Sequence, residues 1–249
     1  MSWFENKVAV ITGASSGIGH ALAVELSRRG ARLALLDRDA EGLEVTARQC
    51  GNVLVRTVDV TDWAALQDVA AAVEEELGGV DAVFSAAGII QRGSLLDSEI
   101  SDVHSVMAVN WLGTVHTVKA FLPIVMRSPG ARVVTFSSAY GLMAMPKYSA
   151  YNASKFAVRG FSESLRQELA ESGSDVSVTC VYPGGVRTPI VRNGLYAAGE
   201  PRDAVVRRFE KKVARTEPAE AALTVLRGVE RRRARVLVGS DARAVSALV

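Results

Sequence analysis

Short runs of apolar and β-branched residues alternate along the chain with longer stretches in which apolar residues recur every three or four positions. The first type of run predicts strands buried on both faces, and the second predicts amphipathic helices. Strand patterns occupy residues 7–12, 32–37, 53–59, 80–85, 132–138, 176–182 and 236–239. Helical patterns occupy residues 20–29, 40–50, 63–77, 99–127, 151–171 and the stretch from 217 onwards. This alternation predicts a doubly wound α/β fold, a seven-stranded parallel sheet with helices on both faces.

Two segments depart from the regular alternation. Pro123 lies within the long helical pattern at 99–127, and we expect it to break that helix. Residues 189–216 show no clear periodicity, are mixed in charge and include Gly199 and Pro201. Because they follow the end of a strand, we expect them to form an irregular, mobile lid over the substrate.

Length and composition narrow the class of protein. A chain of 249 residues is expected to form one domain over 1–249. Its formal net charge of +2 is too small to predict a nucleic-acid partner, and no apolar run reaches the length of a membrane span. The N-terminus lacks the pattern of a signal peptide. Cys50 and Cys180 fit no metal-ligand spacing, so we expect no metal site and reduced thiols in the cytoplasm.

The first strand runs directly into a glycine-rich turn, Gly13-Ala-Ser-Ser-Gly17-Ile-Gly19, that opens a helix. Glycine lets the backbone approach a pyrophosphate, and a helix N-terminus presents free N–H groups and positive potential. The glycine spacing alone is weak evidence, because any tight turn uses glycine. Asp37, however, closes the second strand near the expected spacing of about 20 residues, where a carboxylate accepts hydrogen bonds from ribose hydroxyls. Together these features predict a dinucleotide-binding unit.

The same region bears on the choice of dinucleotide. The charge of Asp37 would repel a 2′-phosphate, which favours NAD over NADP. Arg38 complicates this prediction, because an arginine beside the ribose can pair with that phosphate. Ser16 offers no second cation. The sequence therefore predicts NAD, with NADP as the alternative.

Tyr151 and Lys155 lie four residues apart at the start of a helical pattern, so their side chains share one face. A free phenol has a pKa of about 10, and a nearby ammonium favours the phenolate. We therefore expect Lys155 to lower the pKa of Tyr151, so that the pair can move a proton near neutral pH. Structural pairs of this kind are common, so the pair alone does not identify an enzyme.

Three further positions could belong to the same site. Ser138 ends the fifth strand, at the edge of the sheet that also carries Gly13, although turn chemistry alone would explain a serine there. The small residues at 86–88 would let a flat ring lie against the backbone, or would simply permit close packing of strand and helix. Asn110 is a mediocre helix former, which makes it either a member of a buried network or an exposed exception.

The ordered set of motifs resembles the short-chain dehydrogenase/reductase family over nearly the whole chain. The motifs are Thr12-Gly13-Ala-Ser-Ser-Gly17-Ile-Gly19, Asp59-Val60, Asn110, Ser138, Tyr151-x-x-x-Lys155, and Pro183-Gly184 with Thr188. The resemblance implies a Rossmann-like fold. It also implies an oxidoreductase that transfers a hydride between a nicotinamide cofactor and a secondary alcohol or ketone.

The resemblance also implies a role for each motif residue. Tyr151 would be the general acid-base, Lys155 would lower its pKa and bind the nicotinamide ribose, and Ser138 would polarise the carbonyl. Asn110 would hold a water molecule in a proton relay behind Lys155. The implied cofactor-binding residues are Gly13, Ser15, Ser16, Gly17, Ile18, Gly19, Asp37, Arg38, Asp59, Val60, Ala87, Gly88, Tyr151, Lys155, Pro183, Gly184, Val186 and Thr188. A homotetramer or dimer built on the helices of 99–127 and 151–171 is implied as well.

The chain departs from the family pattern at Ser85-Ala86-Ala87-Gly88, where Asn-Asn-Ala-Gly is common. We expect weaker bracing of the central strands but unchanged chemistry. The apolar segment 142–146 is expected to line the substrate side, which suggests an apolar alcohol or ketone, although these residues could be ordinary core. The alternatives are an NADP-dependent carbonyl reductase that uses Arg38, and a non-catalytic cofactor-binding sensor, which the presence of Tyr151 and Lys155 disfavours.

Overall fold

The computed structural model describes residues 2–249 and contains the seven-stranded parallel sheet that the sequence predicts. In chain order the strands are β1 (Val8–Thr12), β2 (Arg32–Asp37), β3 (Leu54–Thr57), β4 (Ala82–Ser85), β5 (Gln91–Arg92), β6 (Arg132–Phe136), β7 (Ser177–Pro183), β8 (Leu195–Tyr196) and β9 (Arg235–Val238). The large sheet has the order β3-β2-β1-β4-β6-β7-β9. The order reverses between β1 and β4, and a crevice for ligands forms outside the carboxyl ends of strands at such a switch point.

Helices cover both faces of this sheet, as predicted. They are α1 (Gly17–Arg28), α2 (Ala40–Cys50), α3 (Trp63–Leu77), α4 (Ile100–Met107), α5 (Gly113–Val125), α6 (Ser149–Glu171), α7 (Arg202–Arg208), α8 (Pro218–Glu230) and α9 (Ser240–Ser246). One core cluster packs α1, α2 and α8 against the sheet, and the other packs α3, α5 and α6. None of the helices in residues 2–249 combines the length and apolar character needed to cross a bilayer.

The long helical pattern is interrupted at a different place from the one predicted. A π-helical turn, Ala108–Leu112, separates α4 from α5, whereas Pro123 lies inside α5 near its C-terminal end. The prediction that Pro123 breaks the helix is therefore wrong, because a proline so close to the end removes little of the hydrogen-bond ladder. Single π-turns are frequent at functional sites, and this one contains the fully buried Asn110.

The segment 189–216 is more regular than predicted. It contains β8, α7 and a second π-helical turn, Phe209–Val213. β8 pairs in parallel with β5 to make a two-stranded ribbon apart from the large sheet. The expectation of an irregular segment is wrong because an apolar stripe of Val205, Val206 and Phe209 packs against a buried cluster that contains Ile90, Val106, Ala150, Tyr151 and Val191. The surrounding charged residues hide this short stripe in the sequence.

Candidate active site

A cleft of about 360 Å³ opens beyond the carboxyl ends of β1, β2 and β4. Its wall includes most of the cofactor-binding residues that the sequence indicates. These are Gly13, Ser15, Ser16, Gly17, Ile18, Gly19, Asp37, Arg38, Asp59, Val60, Ala87, Gly88 and Thr188. The wall also includes Ile89, Ile190 and Asn193, which sequence reasoning missed because no motif marks them. Motifs far apart in the sequence therefore come together at one cleft.

Five of the predicted cofactor contacts do not line this cleft, namely Tyr151, Lys155, Pro183, Gly184 and Val186. For the last three, contact with the cofactor stays a prediction. β7 is paired with β9 up to Pro183, and the Gly184 nitrogen donates a hydrogen bond to the Val238 carbonyl at 2.9 Å. A Cβ on Gly184 would lie 2.0 Å from Oδ1 of Asp241, so this glycine is required by packing against α9. Val186 is buried.

The glycines of the turn serve the packing of the chain itself as well as the cleft. Gly13 has a φ of +70°, and a Cβ there would lie 2.7 Å from the backbone nitrogen of Ala87. A Cβ on Gly19 would lie 2.0 Å from the carbonyl oxygen of Gly13. Close packing therefore explains these two glycines without a ligand. Gly17, with a φ of +58°, faces Thr188 across the cleft.

The start of α1 has the properties of an anion site. Ser16 is the N-cap residue, but its side chain makes no capping hydrogen bond, and the first turn of α1 has no acidic residue. Uncapped N–H groups at a helix N-terminus attract phosphate. Beside them, Oδ2 of Asp37 accepts a hydrogen bond from the backbone of Ser15 at 3.1 Å. Arg38 is exposed and borders the same cleft. These residues fit the diphosphate and ribose of a dinucleotide.

Tyr151 and Lys155 lie together on the buried face of α6, which confirms that they share one face. Tyr151 is 7% exposed and Lys155 is 4% exposed. The Lys155 Nζ atom lies 5.5 Å from the centroid of the Tyr151 ring and donates a hydrogen bond to the Phe136 carbonyl oxygen at 3.0 Å. A Cβ on Gly88 would lie 3.4 Å from this Nζ atom. Lys155 therefore approaches Gly88, which forms part of the cleft wall.

Burial determines the acidity of both groups. It raises the pKa of Tyr151 to about 12, although a hydrogen bond with Ser138 opposes this rise. It lowers the pKa of Lys155 to about 8. Burial therefore dominates in the protein itself, and the pKa of Tyr151 is raised where the sequence predicted a lowered value. Loss of water destabilises the charged form of each group, and the ammonium is directed at the carbonyl of Phe136.

Ser138 combines the two roles that the sequence left open. Its Oγ atom accepts a hydrogen bond from the backbone nitrogen of Tyr140 at 3.1 Å and so caps the short 3₁₀ turn Ala139–Gly141. The same hydroxyl lies near the phenol of Tyr151 and acts against the rise of its pKa. Turn chemistry thus fixes the backbone of Ser138 while its hydroxyl stays beside the phenol.

Asn110 belongs to a buried network rather than to the surface. Its Oδ1 atom accepts from the Ile89 nitrogen at 2.8 Å, and its Nδ2 atom donates to the Ile89 oxygen at 2.9 Å and to Oγ of Ser154 at 3.0 Å. This amide therefore fixes the backbone just after Gly88. Such a partner set was not evident from the sequence, because the π-turn that brings Asn110 inward has no local signal.

Tyr151 belongs to a cluster of apolar side chains. The cluster includes Ile90, Val106, Ala150, Val191, Ile190, Tyr140, Tyr148, Leu195 and Phe209. Leu142 instead packs with Cys180 and Tyr182 in a separate cluster, and Met145 is 37% exposed. The expectation that residues 142–146 line the substrate side is therefore wrong for Leu142, which is ordinary core.

A switch-point cleft with an uncapped helix start, next to a buried Tyr–Lys pair, defines a dinucleotide-dependent oxidoreductase site. Residues 7–195 match the family model described as short chain dehydrogenase. The chain is 45% identical over its whole length to SadH of Mycobacterium tuberculosis H37Rv, named as a candidate oxidoreductase, and covers 91% of it. It is 33% identical over 247 residues to dehydrogenase/reductase SDR family member 7B of Xenopus tropicalis, with 95% of this chain and 78% of the relative covered.

A solved structure also has a closely similar fold. The crystal structure of a short chain dehydrogenase/reductase from Burkholderia phymatum in complex with NAD has a TM-score of 0.91 and 30% identity, with 100% of this chain and 94% of that chain covered. The chain therefore belongs to the short-chain dehydrogenase family, which confirms the resemblance seen in the sequence. It is an oxidoreductase of the class that uses a nicotinamide cofactor.

Proposed function

We propose that this protein is an NAD-dependent dehydrogenase/reductase of apolar secondary alcohols and ketones. One observation carries the proposal. The phenol of Tyr151 and the ammonium of Lys155 are buried side by side where the cleft, at Gly88, meets the apolar cluster around Tyr151. In this proposal the proton-transfer group lies between the bound cofactor and an apolar substrate. In this proposal the chain acts as one domain, with 189–216 as the substrate lid.

Several residues would hold the cofactor. The uncapped start of α1 suits the diphosphate, and Asp37 suits the adenosine ribose, while Asp59 and Val60 would flank the adenine. When bound, the nicotinamide would supply or accept the hydride. The carboxylate of Asp37 favours NAD by repelling a 2′-phosphate, and the Burkholderia relative was solved with NAD. Arg38, exposed at the cleft, supports NADP as the second candidate.

The side chains near Tyr151 would handle the proton. At neutral pH the raised pKa keeps this phenol protonated, so it can donate to a substrate oxygen during reduction. Oxidation of an alcohol needs the phenolate, which the positive charge of Lys155 would stabilise. Ser138 would bind the substrate oxygen, and Asn110 would keep the backbone at Ile89 in place. A proton relay through Asn110 is part of the proposal.

A screen of secondary alcohols and ketones with both cofactors tests this function. We expect NADH oxidation with at least one apolar ketone, and weaker or absent turnover with NADPH. Titration of the protein with NADH and NADPH, followed by fluorescence, separates the two cofactor assignments. Tighter NADPH binding would contradict the argument from Asp37 and favour Arg38. Binding of NADH without turnover of any substrate would favour the sensor.

We also propose a homo-oligomer, a dimer or tetramer, that works in the cytoplasm. Large apolar side chains are exposed in the turn before α5, just after α5 and on α6, namely Leu112, Met126 and Phe156. Cys50 and Cys180 are free and buried, which suits a reducing compartment. Light scattering on the purified protein tests the assembly, and a monomer at micromolar concentration would contradict it.

A further inference from the structure

Three separate segments of the chain meet at one carboxylate beside the apolar cluster around Tyr151. Glu200 follows β8, and its side chain is only 7% exposed. Its Oε2 atom accepts a hydrogen bond from Nε of Arg92 at 2.9 Å, and its Oε1 atom accepts one from Nζ of Lys147 at 2.6 Å. Arg92 belongs to β5, and Lys147 lies just before α6. The side chain of Glu200, within the lid at residues 189–216, therefore binds both β5 and the segment that precedes α6.

Backbone hydrogen bonds join the same three segments. The nitrogens of Leu195 and Ala197 donate to the carbonyls of Ile90 and Arg92, each at 2.9 Å. The nitrogen of Gly93 donates to the carbonyl of Lys147, also at 2.9 Å. A ribbon of two short strands is marginal by itself. The ion pairs of Glu200 thus supplement a backbone contact that is too small to hold the lid alone.

The same group of contacts extends toward the catalytic phenol. Nη1 of Arg92 donates to the hydroxyl of Tyr148 at 2.8 Å, and its guanidinium lies 5.1 Å from the centroid of that ring. The ring of Tyr148 is 5.2 Å from that of Tyr140, which meets the ring of Tyr151 edge-on at 6.1 Å. The contacts of Glu200 thus continue through Arg92 and the rings of Tyr148 and Tyr140 to the ring of Tyr151.

Two features indicate that this arrangement is specified by the chain. Lys147 has a φ of +69°, a left-handed conformation that is uncommon for a residue with a side chain. Such strain persists only where the surroundings fix it, and here both the carbonyl and the ammonium of Lys147 are bonded. Hydrogen bonds from Lys147 and Arg92 also hold the pKa of Glu200 below its ordinary value, so the carboxylate stays charged.

We propose that Glu200 is a positioning residue that closes the lid against β5 and the start of α6, and so selects substrates by size. The inference rests on the proposed function, since it concerns the substrate side of that site. With the lid held, Val191, Leu195 and Ile90 form a wall of fixed width beside Tyr151. With the lid released, the preference for compact over bulky ketones becomes smaller.

Glu200→Gln tests this proposal, because it keeps the shape of the side chain and removes its charge. We expect the KM for the best ketone to rise about tenfold, since hydrogen bonds to charged groups are the strong ones. The preference for compact over bulky ketones should narrow by a similar factor. The Kd for NADH should stay within about twofold, because neither Arg92 nor Lys147 lines the cofactor cleft.

Glu230→Gln is the matched control. Glu230 also accepts from two partners, Ser2 at 2.7 Å and Arg29 at 3.2 Å, but it lies at the end of α8. The control should leave the KM, the selectivity and the Kd for NADH unchanged. A double-mutant cycle with Lys147→Met should show that the effects of Glu200→Gln and Lys147→Met on KM are not additive.

Hydrogen exchange measures how firmly the lid is held, and it does not require catalytic turnover. The amides of Leu195 and Ala197 should exchange about tenfold faster in Glu200→Gln than in the wild type, and at the wild-type rate in Glu230→Gln. Unchanged exchange would overturn the proposal, and so would a parallel loss of thermal stability and NADH affinity. A wild-type protein without turnover would refute the proposed function and substrate selection, whereas the exchange result would still decide whether Glu200 holds the lid.

Discussion

The end of the site at the glycine turn is formed largely by backbone groups, whereas the end at Tyr151 is formed by buried side chains. At the glycine turn, backbone N–H groups and the carboxylate of Asp37 come from the first two strands and lie in a partly open cleft. At Tyr151, buried side chains converge from α6, the turn after β6 and the π-turn between α4 and α5. The first end depends on local backbone geometry, and the second depends on what the whole fold excludes from water.

This difference explains why charge acts differently at the two ends. Asp37 is half-buried at the cleft wall and stays available for polar contacts. Lys155 and Tyr151 have lost nearly all contact with water, so desolvation is the main cause of both pKa shifts. A pairing rule taken from helix spacing is therefore a poor guide to pKa once both partners are buried.

The largest effect should come from Tyr151→Phe. The ring remains and only the proton donor is lost, so we expect the rate to fall about 10²- to 10⁴-fold while the Kd for NADH changes little. Steady-state kinetics and NADH titration measure the two quantities. Tyr182→Phe is the control, because the hydroxyl of Tyr182 is buried without a hydrogen-bond partner among residues 2–249. A Tyr151→Phe variant with most of its rate would show that another group moves the proton.

Lys155→Met should separate activity from stability. We expect about a 100-fold loss of rate, because the charge beside the phenol is gone. At pH 7 the folded protein must keep a buried ammonium whose pKa has fallen to about 8, so the variant should be more stable by up to about 3 kcal/mol.

The stabilisation expected for Lys155→Met should depend on pH, in a direction that the lowered pKa of Lys155 determines. Between about pH 8 and pH 10.5 the unfolded chain binds more protons at Lys155 than the folded protein does, so wild-type stability rises with pH relative to Lys155→Met. Chemical denaturation at pH 7 and pH 10 measures, at each pH, the gap in unfolding free energy between Lys155→Met and the wild type. A gap that stays constant or widens toward pH 10 would contradict the lowered pKa.

The smallest effect should come from the open end of the cleft. Asp37→Ala should move the preference from NADH toward NADPH by about tenfold, because the repulsion of the 2′-phosphate is lost while the screened site keeps its shape. Arg38→Ala should do the opposite and weaken NADPH binding. Fluorescence titrations of both variants measure the ratio of the two Kd values. An unchanged ratio in both would remove Asp37 and Arg38 from cofactor selection.

The sequence predicts the fold and many residues of the cleft wall well for a physical reason. Buried parallel strands are continuous apolar runs, and Gly13, Gly19 and Asp37 act through backbone positions close to them in the chain. The π-turn at Asn110 and the helix α7 with the π-turn after it were not predictable, because long-range packing stabilises them against weak local signals. The pKa of Tyr151 depends on burial by distant segments, which no spacing encodes.

The small ribbon of β5 and β8 joins residues more than a hundred positions apart. Closing so large a loop is entropically costly, and only two short strands repay it. In the folding of this chain, the ribbon is therefore expected to assemble last, after the seven-stranded sheet has already brought its two halves together. Under the proposed role of the lid, the cofactor cleft would form before the chain gains its selectivity among substrates.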